Sequence, residues 1–192
     1  MTPKVAIIGN GSVGNALLRG LERAGYQTRM GEKGKSREAF EWGDAIVLAV
    51  PFTALDSVLQ EVGEAVNGKL LVDATNALTE DMQLALGFST SGGEELQKKA
   101  STARVVKAFN TVFAKHMDSG RLNGQPLTAF AAGDDEGARE TVLQMARDIG
   151  FDAVSAGPLR NARWLESLGY LNIQLAYVLG NGPATGFRYL HG

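Results

Sequence analysis

The sequence contains no cysteine, only two histidines and five prolines, and no bias of charge: nineteen lysines and arginines stand against twenty-one aspartates and glutamates in 192 residues. Each shortage removes a class of protein. Without cysteine there is no disulfide, no thiolate metal centre and no cysteine nucleophile. His116 and His191 are too few for a zinc site, so no metal is expected. A formal charge of −2 offers no basic face to nucleic acid or an anionic membrane, and neither is expected as a partner. No window of about 18 uninterrupted apolar residues occurs, which argues against a membrane span. The start, Met1-Thr2-Pro3-Lys4-Val5, carries no apolar signal-peptide core. The expectation is a soluble cytoplasmic protein.

Glycine, by contrast, is in excess, at 24 of 192 residues against an average of about 7%. The glycines are scattered singly among apolar runs, and 44% of the chain is hydrophobic with 21% charged, the balance of a folded domain rather than a disordered or fibrous one. The length suits one domain.

Short apolar runs alternate with helical periodicity. Val5-Ala6-Ile7-Ile8 reads as a strand buried on both faces, and from Ser12 the apolar positions Val13, Leu17, Leu21 and Ala24 take helical spacing up to Gly25. Tyr26 to Met30, Ala45 to Val50, Leu70 to Val72, Val105 to Phe109, Leu127 to Ala132 and Ala153-Val154 read as further strands. Thr53 is expected to cap a helix over Leu55, Val58, Leu59, Val62 and Val66, and Asp134/Asp135 one over Ala138, Val142, Met145 and Ile149. A short polar helix from Glu94 to Lys99 follows a Ser91-Gly92-Gly93 turn, and a long apolar helix runs from Arg160 to Leu179. The alternation predicts an α/β fold with a Rossmann-like, doubly wound, mostly parallel sheet over residues 1–155, and a helical extension over 156–192 packed on the same domain. Apolar residues on more than one stripe of the last helix predict a homodimer.

Gly9-Asn10-Gly11-Ser12-Val13-Gly14 fits G-x-G-x-x-G between the first strand and first helix. In this setting the first glycine makes the turn, the second admits a pyrophosphate to the backbone, and the third lets helix and strand pack closely. The anion then sits at the helix N-terminus. The ribose contact is expected about 20 residues on, and Glu32 stands eighteen residues past Gly14. Its carboxylate favours NAD, whereas Lys33, Lys35 and Arg37 favour the 2′-phosphate of NADP. Both cofactors stay open.

Ile7-Ile8-Gly9-Asn10-Gly11-Ser12-Val13-Gly14, Leu48-Ala49-Val50-Pro51, Val72-Asp73-Ala74-Thr75-Asn76, Val106-Lys107-Ala108-Phe109-Asn110-Thr111 and Ala156-Gly157-Pro158-Leu159 occur in that order. This set resembles the NADP-dependent oxidoreductases typified by the deazaflavin-coenzyme:NADP oxidoreductase. It is also similar to the cytoplasmic domain of the six-transmembrane metalloreductases. The resemblance implies hydride transfer between NADP(H) and a flavin-like or deazaflavin coenzyme. It further implies that Gly9 to Gly14 hold the pyrophosphate and that Gly31-Glu32-Lys33 replaces the family's Gly-Ser-Arg at the 2′-phosphate. Val50, Pro51 and Phe52 would border the cofactor, and Asn76, Ala108 and Asn110 would approach the nicotinamide. Between Lys33 and Ala45 the family carries another helix and strand, whereas Ser36 to Trp42 leaves room for one or two helical turns. The sheet is therefore expected to be shortened by one βα element after its second strand.

Asn76 and Asn110 follow the ends of expected strands, where amides serve either a ligand or a turn. Lys107 is expected to snorkel to the sheet edge rather than reach substrate, His116 to lie on the surface rather than act as an acid–base catalyst, and Trp164 and Phe109 to fill the core rather than form a stacking platform. Arg160 and Arg163 suit either an anionic acceptor or an exposed helix face. No nucleophile–base pair or carboxylate dyad stands out, which leaves the catalytic residues unassigned and agrees with chemistry carried by cofactors. The partner expected is a small-molecule or coenzyme hydride acceptor. The alternatives are an NADP(H) reductase of another small molecule and a module that senses NAD(P) without turnover.

Overall fold

A computed structural model describes residues 2–32, 34–79 and 81–190. In chain order the principal elements are β1 (Val5–Ile8), α1 (Ser12–Arg23), β2 (Thr28–Gly31), α2 (Ser36–Trp42), β3 (Ala45–Leu48), α3 (Leu55–Val62), β4 (Leu70–Asp73), α4 (Gly92–Lys99) and β5 (Arg104–Ala108). They continue with α5 (Ala114–Met117), β6 (Arg121–Leu122), β7 (Gln125–Pro126), β8 (Thr128–Gly133), α6 (Glu136–Ile149), β9 (Asp152–Gly157) and α7 (Ala162–Ile173), which runs into a π-helical turn at Gln174–Val178.

The apolar runs form the inner strands. β1, β3 and β4 are buried at every position, as a sheet covered on both faces requires. Alternate residues face opposite layers. Val5 and Ile7 join the core beneath α1 and α6, while Ala6 and Ile8 pack with Phe40, Ile46, Leu48 and Leu96 on the other side.

The seven-stranded order is β2-β1-β3-β4-β5-β8-β9. β2, β1, β3, β4 and β5 are parallel, β8 is antiparallel to β5, and β9 is parallel to β8. From β2 the chain returns through the seven-residue α2 directly to β3 on the other side of β1. β2 is therefore an edge strand, and the sheet is shortened as expected. β1 lies where strand order reverses, the position at which open α/β sheets bind nucleotides.

Several local features differ from the sequence reading. Thr53 lies inside a 3₁₀ turn, Phe52–Ala54, and α3 starts at Leu55 with no side-chain capping bond, because the turn set by Pro51 leads directly into the helix. Ser91 and Asp135 do cap α4 and α6, accepting from the amides of Glu94 and Ala138. α5 and the β6–β7 hairpin are each only two to four residues per segment, too short for a periodic signal. Trp164 is 54% exposed, its ring 6.0 Å from that of Phe88. The residues α7 buries are Ala162, Leu165, Glu166, Gly169 and Asn172. Close approach and polar pairing orient this helix, and its largest apolar ring is left outside.

Candidate functional site

The glycine turn divides its roles sharply. Gly9 has φ +117°, and a Cβ there would lie 2.3 Å from the Ala49 carbonyl oxygen. A Cβ at Gly14 would lie 1.8 Å from the Gly9 oxygen, so the close packing of turn and helix depends on its absence. Around Gly11 the space is open for 4 Å. Asn15 donates its backbone N–H to the Gly11 carbonyl at 3.0 Å, and its side-chain amide donates to the carbonyls of Asn10 and Gly11. The amides of the first turn at Ser12, Val13 and Gly14 precede that first helical bond. Gly11 is not capped by a side chain, and no acidic residue occupies the first turn. The result is an open helix N-terminus with free amides, the kind of end that can receive an anion.

From Ser12 and Val13 a cleft of about 670 Å³ runs toward Asn76, Asn110, Phe113 and Tyr177. Its floor is an interlocked amide pair. Asn76 donates through Nδ2 to the Asn110 carbonyl, and Asn110 donates through Nδ2 to Asn76 Oδ1, each at 3.0 Å. Asn110 Nδ2 also donates to the Leu165 carbonyl of α7 at 2.8 Å. With both amide hydrogens engaged, its Oδ1 is buried without a protein partner. The turn that presents Asn110 places Phe109 at φ +66°, a conformation uncommon outside glycine. Gly169 lets α7 come close: a Cβ there would sit 2.7 Å from Asn76 Oδ1 and 2.8 Å from the Asn110 oxygen.

Beneath this pair lies a buried ion cluster. Lys107, fully buried, places Nζ 2.7 Å from Asp73 Oδ2 and 2.8 Å from Glu166 Oε1, and donates to the Thr75 carbonyl at 2.9 Å. Asp73 accepts the Thr75 amide, and Glu166 accepts the amides of Gly92 and Gly93 at the start of α4. Burial alone would lower the lysine pKa, but the two carboxylates outweigh it and hold the ammonium above its usual range.

At the end of β2 a smaller hollow of about 220 Å³ is lined by Arg29, Gly31, Glu32, Lys35 and Glu38. Lys35 Nζ lies 2.9 Å from Glu32 Oε2. That contact lowers the Glu32 pKa and raises that of Lys35. Arg29 stacks on the Trp42 ring at 4.7 Å. β2 and β4 are three strand spacings apart, roughly 14 Å, with the glycine turn between them.

Residues 27–77, from just before β2 to just past Asn76, match the family model for NADP oxidoreductase, coenzyme F420-dependent. The rat metalloreductase STEAP3 is 29% identical over 181 residues, covering 86% of this chain and 36% of that protein. The F420-dependent NADP reductase of Methanocaldococcus jannaschii is 26% identical over 160 residues, covering 80% of this chain and 71% of that protein. By sequence, this chain is related to the F420-dependent NADP oxidoreductases. It spans about a third of the length of the metalloreductase it matches. A candidate F420-dependent NADP-reductase structure from Arthrobacter sp. FB24 shares the fold, with a TM-score of 0.90 at 24% identity over 98% of this chain and all of that one.

Among the residues singled out in the sequence, Gly9, Asn10, Gly11, Ser12, Val13 and Gly14 form the turn, and Val50 borders it through a methyl near Gly9. Pro51 is exposed just past the end of β3, and Phe52 abuts Gly92. Glu32 lines the β2 hollow, and Lys33 lies outside the described residues. Asn76 and Asn110 meet, whereas Ala108 is buried within β5 and does not line the cleft. Arg163 pairs with Glu94 at 2.6 Å. His116 is buried rather than on the surface, because α5 packs against α1, and His191 lies outside the described residues.

Lys107 departs furthest from its expected place, since it does not reach solvent. Part of the signal was available. Lys107 sits in an apolar strand and Asp73 ends another, and the two are register partners across β4 and β5. A lysine inside such a strand needs a buried anion. Glu166, 59 residues further along the chain, could not be foreseen. Among the described residues no helix is long and apolar enough to cross a membrane, and no group of three or more His, Cys, Asp or Glu could hold a metal ion.

Proposed function

We propose that this domain binds NADP(H) and transfers hydride between its nicotinamide and a flavin-like or deazaflavin coenzyme. One observation carries the reading: Ser12 and Val13, which follow the open Gly11 at the start of α1, line the same cleft as Asn76 and Asn110. A dinucleotide laid along it has its pyrophosphate at α1, its adenosine ribose at Glu32 and Lys35, and its nicotinamide beside the amide pair. The F420-dependent NADP reductases among the relatives support this assignment of cofactor and acceptor.

The nicotinamide supplies the hydride. The chain's residues bind and orient it. The α1 amides hold the pyrophosphate, and the fixed Asn110 Oδ1 offers an acceptor to the carboxamide. Phe113 and Tyr177, in edge contact at 5.6 Å, wall the outer side of the cleft and reduce its exposure to water. Hydride transfer between stacked rings needs proximity and a dry site more than a protein proton donor. Lys35 and Arg29 favour a 2′-phosphate, while Glu32 preserves a route to NAD.

Single-turnover oxidation of bound NADPH by deazaflavin, FMN and FAD tests the reading. Oxidation by one of them is expected. NADPH left intact by all three identifies a sensing module, and the absence of NADPH and NADH binding overturns the nucleotide assignment itself. We further propose a homodimer through the exposed apolar stretch Leu171, Tyr177, Val178 and Leu179, with the expected outcome of a dimeric mass at micromolar concentration.

A further inference from the structure

The cleft accounts for the asparagines and not for the ion cluster beneath them. Lys107, Asp73 and Glu166 are all buried, and a salt bridge in such a place is poor evidence of a contribution to stability. Its geometry, however, is directed at the site. Asp73 accepts the Thr75 amide while Lys107 donates to the Thr75 carbonyl, so both ends of the residue preceding Asn76 are tied to the cluster. Glu166 links Lys107 to α7, and the residue before it, Leu165, supplies the carbonyl that orients the Asn110 amide. One helical turn on, Gly169 presses against the same two asparagines. Glu166 also receives two amides of α4 and so fixes α7 against a second helix.

We propose that Lys107, Asp73 and Glu166 are positioning residues for the hydride-transfer end of the cleft, holding the Thr75–Asn76 loop and α7 so that Asn76 and Asn110 present one fixed arrangement to the nicotinamide. This rests on the nucleotide reading above. It adds that the rigidity of the nicotinamide subsite is set by an internal cation shared between the sheet and α7. The adenosine subsite, at β2, lies three strands away from the cluster's nearest strand, β4.

The test compares two ligands on two variants. Glu166→Gln and Asp73→Asn each leave one cation facing one anion, so neither creates an unpaired buried charge. Binding of NADP⁺ and of adenosine 2′,5′-bisphosphate, which lacks the nicotinamide, is measured for the wild type and each variant. If the cluster positions the amide pair, NADP⁺ affinity falls about tenfold, the scale of one lost hydrogen bond, while the fragment binds as before. A merely structural role lowers both affinities together or neither, and either result in both variants overturns the proposal. If one variant does not fold, the other decides. A wild type that binds neither ligand defeats the nucleotide reading instead, and one that binds both with equal affinity shows that the nicotinamide subsite makes no contribution for the cluster to position.

Discussion

The two regions of the candidate site are built in opposite ways. At the glycine turn and β2 the site is backbone: absent side chains, first-turn amides and an exposed strand end carrying Glu32 and Lys35. At β4, β5 and α7 it is side chain: an interlocked amide pair over a buried cation and two carboxylates drawn from three elements. The backbone-built end tolerates variation in its surface charges, because exposed ion pairs contribute little. The side-chain-built end does not, because its charges are buried and each depends on a partner from another element.

The strongest way to break that contrast is Lys107→Met. It leaves the carboxylates of Asp73 and Glu166 buried without their cation, with an expected loss of about 4 kcal/mol in urea unfolding. The sign of its pH dependence follows from the raised pKa. A group held above its unfolded value stabilises fully below the ordinary lysine range and loses that contribution as pH rises through the folded value. Wild-type stability should therefore show an alkaline step that Lys107→Met lacks.

Gly14→Ala comes next. The added methyl meets the Gly9 carbonyl, and destabilisation of about 3 kcal/mol is expected together with loss of NADPH binding. Gly11→Ala sharpens the distinction, since nothing lies within 4 Å and its backbone, at φ −74°, accepts alanine. Stability should be unchanged while NADPH affinity falls by about tenfold, because the methyl occupies the anion's approach. Glu32→Ser should have the smallest effect. It removes the carboxylate that competes for Lys35, and a shift of about fivefold in the NADPH to NADH affinity ratio is expected, with no change in melting temperature.

The backbone-built end was legible in the sequence. Gly9, Gly11 and Gly14 announced their roles through spacing, and the short stretch from Ser36 to Trp42 announced the missing strand, because both depend on neighbours in the chain. The side-chain-built end was not. The pattern of the chain points Lys107 to the sheet edge, His116 to the surface and Trp164 to the core, whereas Lys107 and His116 are buried and Trp164 lies half outside. For Lys107 and His116 the deciding environment comes from elements distant in sequence, Glu166 and α1, whereas Trp164 is left outside because its own helix buries the opposite side, Leu165, Glu166 and Gly169. Thr53 failed for a nearer reason, since the turn begun at Pro51 needed no cap.

By itself the sequence determined a Rossmann-like fold with a glycine turn and a shortened edge, since strand burial, helical period and glycine conformation are local properties of the chain. Only the tertiary structure decided that Asn76 and Asn110 share their hydrogens, and that a lysine in the middle of a strand faces carboxylates from β4 and α7. Burying a charge depends on which groups the fold brings within hydrogen-bond distance, and spacing along one chain does not encode that.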